Sequence, residues 1–489
     1  MAKVAAKTPR VRSTGVRGKT STRKTTSRVG PRTAKSSAVK KASGKKARTK
    51  STGRRRVKRA ARAFIRMYTH GLGDCFLLRF PRETDDRPYT VLIDCGVILG
   101  TPGADALMKE VVRDVIAVTK GKVDLVVGTH EHWDHLSGFL QAADDFKNLE
   151  VGAVWLGWTE DPDAPEAKAL QKQRSRALAM LRNQALKLRA AGRDADAGLT
   201  DGVLSFFGIR GTTRDALEAV RTLAAKPPRY CRPTDSPQLL PGTGVRTYVL
   251  GPPTDPKFLK KYAPSRREPE TYGVDQLDLR LDEFGSSEEG DLRPPFDAKY
   301  VLPTVVAKAT PFFQTNYFGT EWLNHSRSID GAWLDDTSAL ALQLDSATNN
   351  TSLVLAFELP GGDVLLFAAD AQVGNWLSWQ ELSWSVDGQP RTGPDLLEST
   401  RVYKVGHHGS HNATLREKGL DMMKALEVAL IPVDKKMAEK KRWNRMPLDV
   451  LVDALKAKAA HVVQSDETAE AEDIANFEVG RNFVELTFV

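Results

Sequence analysis

The stretch that decides the reading is Val123-Asp124-Leu125-Val126-Val127-Gly128-Thr129-His130-Glu131-His132-Trp133-Asp134-His135-Leu136-Ser137-Gly138. A short apolar strand delivers the chain to three histidines and an aspartate. The chain holds nine His in 489 residues, so this density is a motif rather than an ordinary polar turn. Alternate residues at a strand end point the same way, which lets His130 and His132 grip one ion while Asp134 and His135 turn towards a second. Neutral imidazoles with a hard carboxylate suit Zn2+, with Mn2+ or Fe as the other choices. No thiolate lies near the motif.

A two-metal site needs a bridging carboxylate and a further His from distant segments. Asp370 follows the apolar run Val364-Leu365-Leu366-Phe367-Ala368-Ala369 and is the natural bridge. The run Val402-Tyr403-Lys404-Val405-Gly406-His407-His408-Gly409-Ser410-His411 brings three more histidines after another apolar strand. Six of the nine His thus fall in two strand-end clusters, which packing alone does not explain.

Around these segments the periodicity predicts an α/β protein. Phe64–Tyr68 and Cys75–Phe80 read as strands joined by the turn His70-Gly71-Leu72-Gly73-Asp74, and Tyr89–Asp94 as a third. Leu107–Val118 has helical spacing, and Val123–Val127 is a strand. Later strands are predicted at Ala339–Leu344, Ser352–Phe357, Val364–Phe367, Arg401–Val405, Ala429–Val433 and His461–Val463. Gly361-Gly362 reads as a hairpin turn. Helices are expected at Pro165–Ala191, Asp215–Ala225, Thr414–Leu426 and Pro447–Ala459. Two segments, about 160–235 and 254–338, interrupt the pattern as insertions that shape a substrate channel. The aromatic run Pro311–Phe318 is expected in the core or as a lid over the pocket.

Charge divides the chain. Residues 1–62 hold 23 of its 72 Lys and Arg and no Asp or Glu, leaving 49 basic against 61 acidic residues in the remainder. Bulky apolar residues begin only at Phe64, so the segment cannot offset the entropy of ordering and is expected to be a disordered basic tail before a domain spanning 63–489. Such a polycation is expected to contact nucleic acid through counterion release. Nothing approaches the roughly 18 apolar residues of a membrane span, and no h-region follows the N-terminal charges. Three cysteines make no disulfide framework and fit a reducing compartment. The expected location is cytoplasmic, with nucleoid association through the tail, and the sequence points to no protein partner.

Taken together, these motifs resemble the metallo-β-lactamase-fold hydrolases, and within them the hydrolase domain of bacterial competence DNA-uptake channels and its soluble stand-alone relatives. The resemblance rests on His70–Asp74, Leu92-Ile93-Asp94-Cys95-Gly96, His130–His135, Val249-Leu250-Gly251-Pro252, Asn349–Leu355, Asp370 and His407-His408-Gly409-Ser410, over about residues 64–489. It implies a four-layer αββα sandwich with two divalent metal ions at one edge. It also implies His130, His132 and Asp370 on one metal, and Asp134, His135, Asp370 and one of His407 or His408 on the other. Asp94 would fix a ligand imidazole by hydrogen bond; a strand-end turn residue is the alternative. Many members supply another His before the bridging Asp, for which His325 is the candidate in this chain. The uptake-channel relatives have Thr-Gly-Asp where Ala369-Asp370 stands, and His-Pro where Met446-Pro447 stands.

The implied chemistry is hydrolysis by a metal-bridging hydroxide. Asp134 and His408 are the expected catalytic residues: Asp134 orients the nucleophile, and whichever of His407 and His408 is not a ligand donates to the oxyanion or leaving group. Asn350 and Ser410 are expected substrate contacts. A phosphodiesterase, in particular a nuclease, is the leading expectation. A small-molecule hydrolase of lactones, lactams or esters, with the tail serving localisation, and a non-catalytic nucleic-acid-binding protein are the alternatives.

Overall fold

Strand runs such as Tyr89–Ile93 and Leu125–Gly128 are buried at every position and, Thr90 aside, apolar, the pattern of strands covered on both faces. In this computed structural model, which describes residues 62–489 except 191–193, 209–211, 266–269, 273–301, 303, 319–336, 442 and 444, they build two mixed sheets. The first runs in the spatial order Phe477–Val479, Phe483–Phe488, Ala63–Tyr68, Phe76–Phe80, Tyr89–Ile93, Leu125–Gly128, Val154–Gly157, Arg229–Cys231. Its pairings are antiparallel as far as Tyr89–Ile93 and parallel beyond. The second sheet runs His461–Gln464, Val428–Ile431, Thr400–Lys404, Val364–Phe367, Val354–Glu358, Arg246–Gly251, Gln238–Leu239. It is parallel from His461–Gln464 to Val364–Phe367 and antiparallel after that. Each sheet therefore has one antiparallel and one parallel half.

Successive side chains of a strand face opposite ways, and the apolar clusters separate accordingly. Leu78, Val91 and Val127 of the first sheet share one cluster with Leu355, Leu365 and Leu430 of the second. Their neighbours Leu77, Leu92 and Val126 pack instead with Val111 and Val115 of the helix Ala104–Thr119 and with Leu136 of the helix Trp133–Gln141. On the second sheet, Leu366, Tyr403 and Ala429 join Leu344 of Thr337–Asn349, Trp376 of Val373–Trp379 and Leu455 of Asp449–Lys458.

Four expectations are corrected. Ala339–Leu344 is not a strand but part of the helix Thr337–Asn349; Leu340, Ala341, Leu344, Asp345 and Thr348 are buried at helical spacing, and Ala and Leu favour a helix. Thr414–Leu426 forms turns with a 3-10 segment at Leu420–Met422, because Gly419 breaks the run and Arg416 N donates to Glu270 O at 2.9 Å. The strand Val123–Val127 splits at Asp124, whose carboxylate takes Arg82, Arg87 and the Thr90 amide. Lys122–Val123 then pairs separately with Glu150–Val151. For the aromatic run Pro311–Phe318, expected in the core or as a lid, only the core half is corrected, since Phe312 is 60% exposed. The basic tail up to residue 61 and His325 lie outside the described residues. The three cysteines are free and buried, and among the described residues no helix is long and apolar enough to cross a membrane.

Gly96 places the first motif. A Cβ there would fall 2.5 Å from the carbonyl carbons of both Asp134 and His135, so only glycine lets the helix Trp133–Gln141 begin this close to the strand end at Ile93. Gly96→Ala is expected to cost about 3 kcal/mol, the upper end for overpacking against backbone that cannot yield. Chemical denaturation of the variant measures it.

Candidate metal centre

Parallel register brings the site together. Ile93 lies beside Val127 in the first sheet, and Phe367 beside Lys404 in the second. The segments that follow, Asp94 with Thr129-His130 and Asp370 with His407-His408, therefore emerge side by side at the carboxyl ends of their strands. A backbone bond links the sheets at this edge, Leu353 N donating to Thr129 O at 2.8 Å, and within the second sheet Asp370 N donates to Ser352 Oγ at 3.2 Å. Asp94, Ala369, His407 and His408 all adopt positive φ, between 42° and 54°. Non-glycine residues rarely accept this conformation, which costs about 1–2 kcal/mol each.

Ligand-type atoms of Asp134, His135, Asp370 and His408 all lie within 4.8 Å of one another, and all four residues are buried. His408 Nε2 is 3.0 Å from Asp134 Oδ2, and His135 Nε2 is 3.1 Å from Asp370 Oδ2. Their other nitrogens are held from behind: His408 Nδ1 lies 2.7 Å from Pro432 O, and His135 Nδ1 2.8 Å from Asp94 Oδ2. Asp94 in turn accepts the Thr129 amide and hydroxyl at 2.8 and 2.7 Å. Beside this group, His130 Nε2 and His132 Nδ1 converge to 3.0 Å. His130 Nδ1 faces Thr129 Oγ1 at 3.0 Å and Ser352 Oγ at 3.3 Å.

The two adjacent histidines divide. His408 faces the cluster, whereas His407 Nδ1 takes Ser410 Oγ at 2.7 Å and its Nε2 lies 3.3 Å from Asn349 Nδ2. Asn350 braces a neighbouring loop instead of facing the cluster: its amide donates to Phe258 O and Leu259 O, and its Oδ1 accepts Asn375 N. Three residues that the sequence did not single out for the site join it. Lys404, 1% exposed, ion-pairs with Asp74, lies 3.4 Å from Asp370 Oδ1 and donates to Ala369 O at 2.9 Å. Asp345 faces His132, and Asn349 donates to Asp345 at 3.2 Å. Lys404 was visible as a charged residue directly after the apolar pair Val402-Tyr403 of its strand; Asp345 was hidden by the strand expected there.

The first insertion closes over the cluster. Arg174, on the helix Pro165–Ala190, ion-pairs with Glu131 inside the motif and with Glu160 at 3.1 Å. Phe206 stacks on His132 and on Trp443, and Phe207 meets His132 edge-on.

Electrostatics fit a cation. Burial alone would lower both His135 and His408, but Asp370, Asp134 and Asp74 reverse this and hold both pKa values up. Burial and the positive His135 push His130 and His132 well down, so they stay neutral and ligand-ready. Asp134 Oδ1, His132 Nε2 and Asp345 Oδ1 are buried without hydrogen-bond partners, which is costly in a site that holds nothing. The Nε2 atoms of His135 and His408, facing Asp370 and Asp134, stand where a metal would bind. The chain is thus an α/β protein with a buried His/Asp cluster that could hold a metal ion. A scan against protein-family models and a search of curated proteins return no match to it.

Metal uptake at pH 7 is expected to release about one to two protons per chain, because each ligand imidazole must deprotonate. Calorimetry in buffers of different ionisation enthalpy counts them, and a release of none would mean that both imidazoles are already neutral.

Proposed function

We propose that the chain is a dinuclear metal-dependent hydrolase of the four-layer αββα metallo-β-lactamase type, acting on phosphodiesters. The observation that carries this is the convergence of Asp134, His135, Asp370 and His408 beside His130 and His132, from the strand ends of two sheets. Helices pack on the outer face of each sheet and an apolar layer fills the space between them, which supports the four-layer reading. Asp370 lies 3.1 Å from His135 and 4.0 Å from His408, with Lys404 beside it, and would be the carboxylate shared by the two ions.

Bound divalent ions, Zn2+ by the donor set, would bring the pKa of a shared water towards roughly 7 and stabilise charge on the attacked oxygen. His130, His132 and Asp370 would hold one ion; Asp134, His135, Asp370 and His408 would hold the other. Asp134 leaves Oδ1 free to accept a hydrogen bond from the nucleophile. With His408 turned to Asp134, the donor role expected of it passes to His407, whose Nδ1 is anchored by Ser410.

For substrate class, the 23 cations of residues 1–62 favour a polyanion. A second reading, a small-molecule ester or lactone hydrolase, is favoured by the wall of Phe206, Phe207 and Trp443 against His132, which leaves little room for a nucleic-acid strand.

Elemental analysis of the purified protein is expected to give about two metals per chain, with cleavage of bis-p-nitrophenyl phosphate and labelled DNA that His132→Ala loses. Two metals with no phosphodiester cleavage would move the substrate to small esters. A chain without metal would end the hydrolase reading. Removal of residues 1–62 is expected to abolish the salt-sensitive part of DNA binding while bis-p-nitrophenyl phosphate turnover stays within about twofold; filter binding across a salt series and the same turnover assay test it.

A further inference from the structure

Each imidazole that faces the cluster has its remote nitrogen accounted for, with one exception. His135 has Asp94 behind it, His408 has Pro432 O, and His130 has Thr129 and Ser352. His132 turns Nδ1 towards His130 Nε2, so its remote atom is Nε2, and that atom is buried without a hydrogen-bond partner. Opposite it, 3.8 Å away, stands Asp345 Oδ1, also buried and also without one. Asp345 is 5% exposed, its other oxygen accepts Asn349 Nδ2, and His132 is the one basic side chain it meets among the described residues. A buried carboxylate without a counter-charge is unfavourable.

We propose that Asp345 is a positioning residue: its carboxylate takes the Nε2 proton of His132 as a hydrogen bond, fixing the tautomer in which Nδ1 is free to bind metal. The inference rests on the reading of the cluster as a metal centre. A distance of 3.8 Å is longer than a hydrogen bond, so the proposal requires the carboxylate to turn towards Nε2 about its terminal torsion, which is soft. The ring itself is held by Phe206 on its face and Phe207 at its edge. A carboxylate behind a ligand imidazole orients the ring and raises its basicity. The helix Thr337–Asn349 thereby supports the first motif as Asp94 does from the strand end.

The test is zinc affinity of the full chain, by competition with a chromophoric chelator, for wild type, Asp345→Ala and Asp345→Asn. Asp345→Ala is expected to bind zinc about 10- to 100-fold more weakly, whereas Asp345→Asn, whose oxygen still accepts from Nε2–H, stays within about 5-fold of wild type. Nitrogen-15 NMR of zinc-loaded, histidine-labelled wild type, which needs no variant to fold, is expected to show one imidazole bound through Nδ1 with Nε2 protonated. That signal should vanish in His132→Ala. Wild-type affinity in Asp345→Ala overturns the proposal. So does an Asp345→Asn loss as large as that of Asp345→Ala, which would make the carboxylate itself a ligand, or a spectrum in which every bound imidazole uses Nε2. Wild type that takes up no zinc fails at the earlier step, the metal centre itself.

Discussion

The structure depends on placing several carboxylates at the junction of two sheets and finding cations for them. Asp74, Asp94, Asp134, Asp345 and Asp370 are all buried there, and carboxylates out of water without partners are strongly unfavourable. Lys404 supplies one fixed positive charge, reaching Asp74 and Asp370 from a strand that is otherwise apolar at its buried end. The carboxylates around His135 and His408 raise the pKa of both imidazoles and so favour their positive forms. Burial pushes Asp370 up, yet His135 and Lys404 outweigh this and hold it well below the usual carboxylate range. A divalent cation would meet the rest of the demand.

The parallel halves of the sheets make this junction possible. Parallel strands end on the same side, so two pairs of strand ends deliver four loops to one edge. Those loops are short and turn sharply, which is why Asp94, Ala369, His407 and His408 are bent into the left-handed region. Ala369, with a φ of 48°, holds a conformation that glycine would adopt without strain. The strain is offset by hydrogen bonds at the same residues, such as His407 N to Ala369 O at 3.1 Å.

Much of this was legible in the sequence because it is local. Strand alternation, the Gly361-Gly362 hairpin and the two histidine clusters depend on neighbours along the chain, and the structure brings His130, His132, Asp134, His135, Asp370 and His408 to one place. What was not legible depends on contacts between distant segments. Asp345 follows a run, Ala339-Leu340-Ala341-Leu342-Gln343-Leu344, that suits a strand as well as a helix, and only the burial of Leu340, Ala341, Leu344 and Asp345 on one face reveals the helix. Asn350 and its neighbour Asn349 are indistinguishable by composition, yet one braces Phe258 and Leu259 while the other reaches Asp345 and His407. The choice between His407 and His408 is likewise decided by Pro432 O, on a different strand end.

The aromatic wall has a kinetic meaning. Phe206 lies between His132 and Trp443, with its ring centroid 4.5 Å from that of the latter and nearly parallel to it, and His132 has no exposed surface. An ion held by His132 would be covered on that side by the stack, so its exchange there would follow local opening of the rings, a slower motion than side-chain rotation.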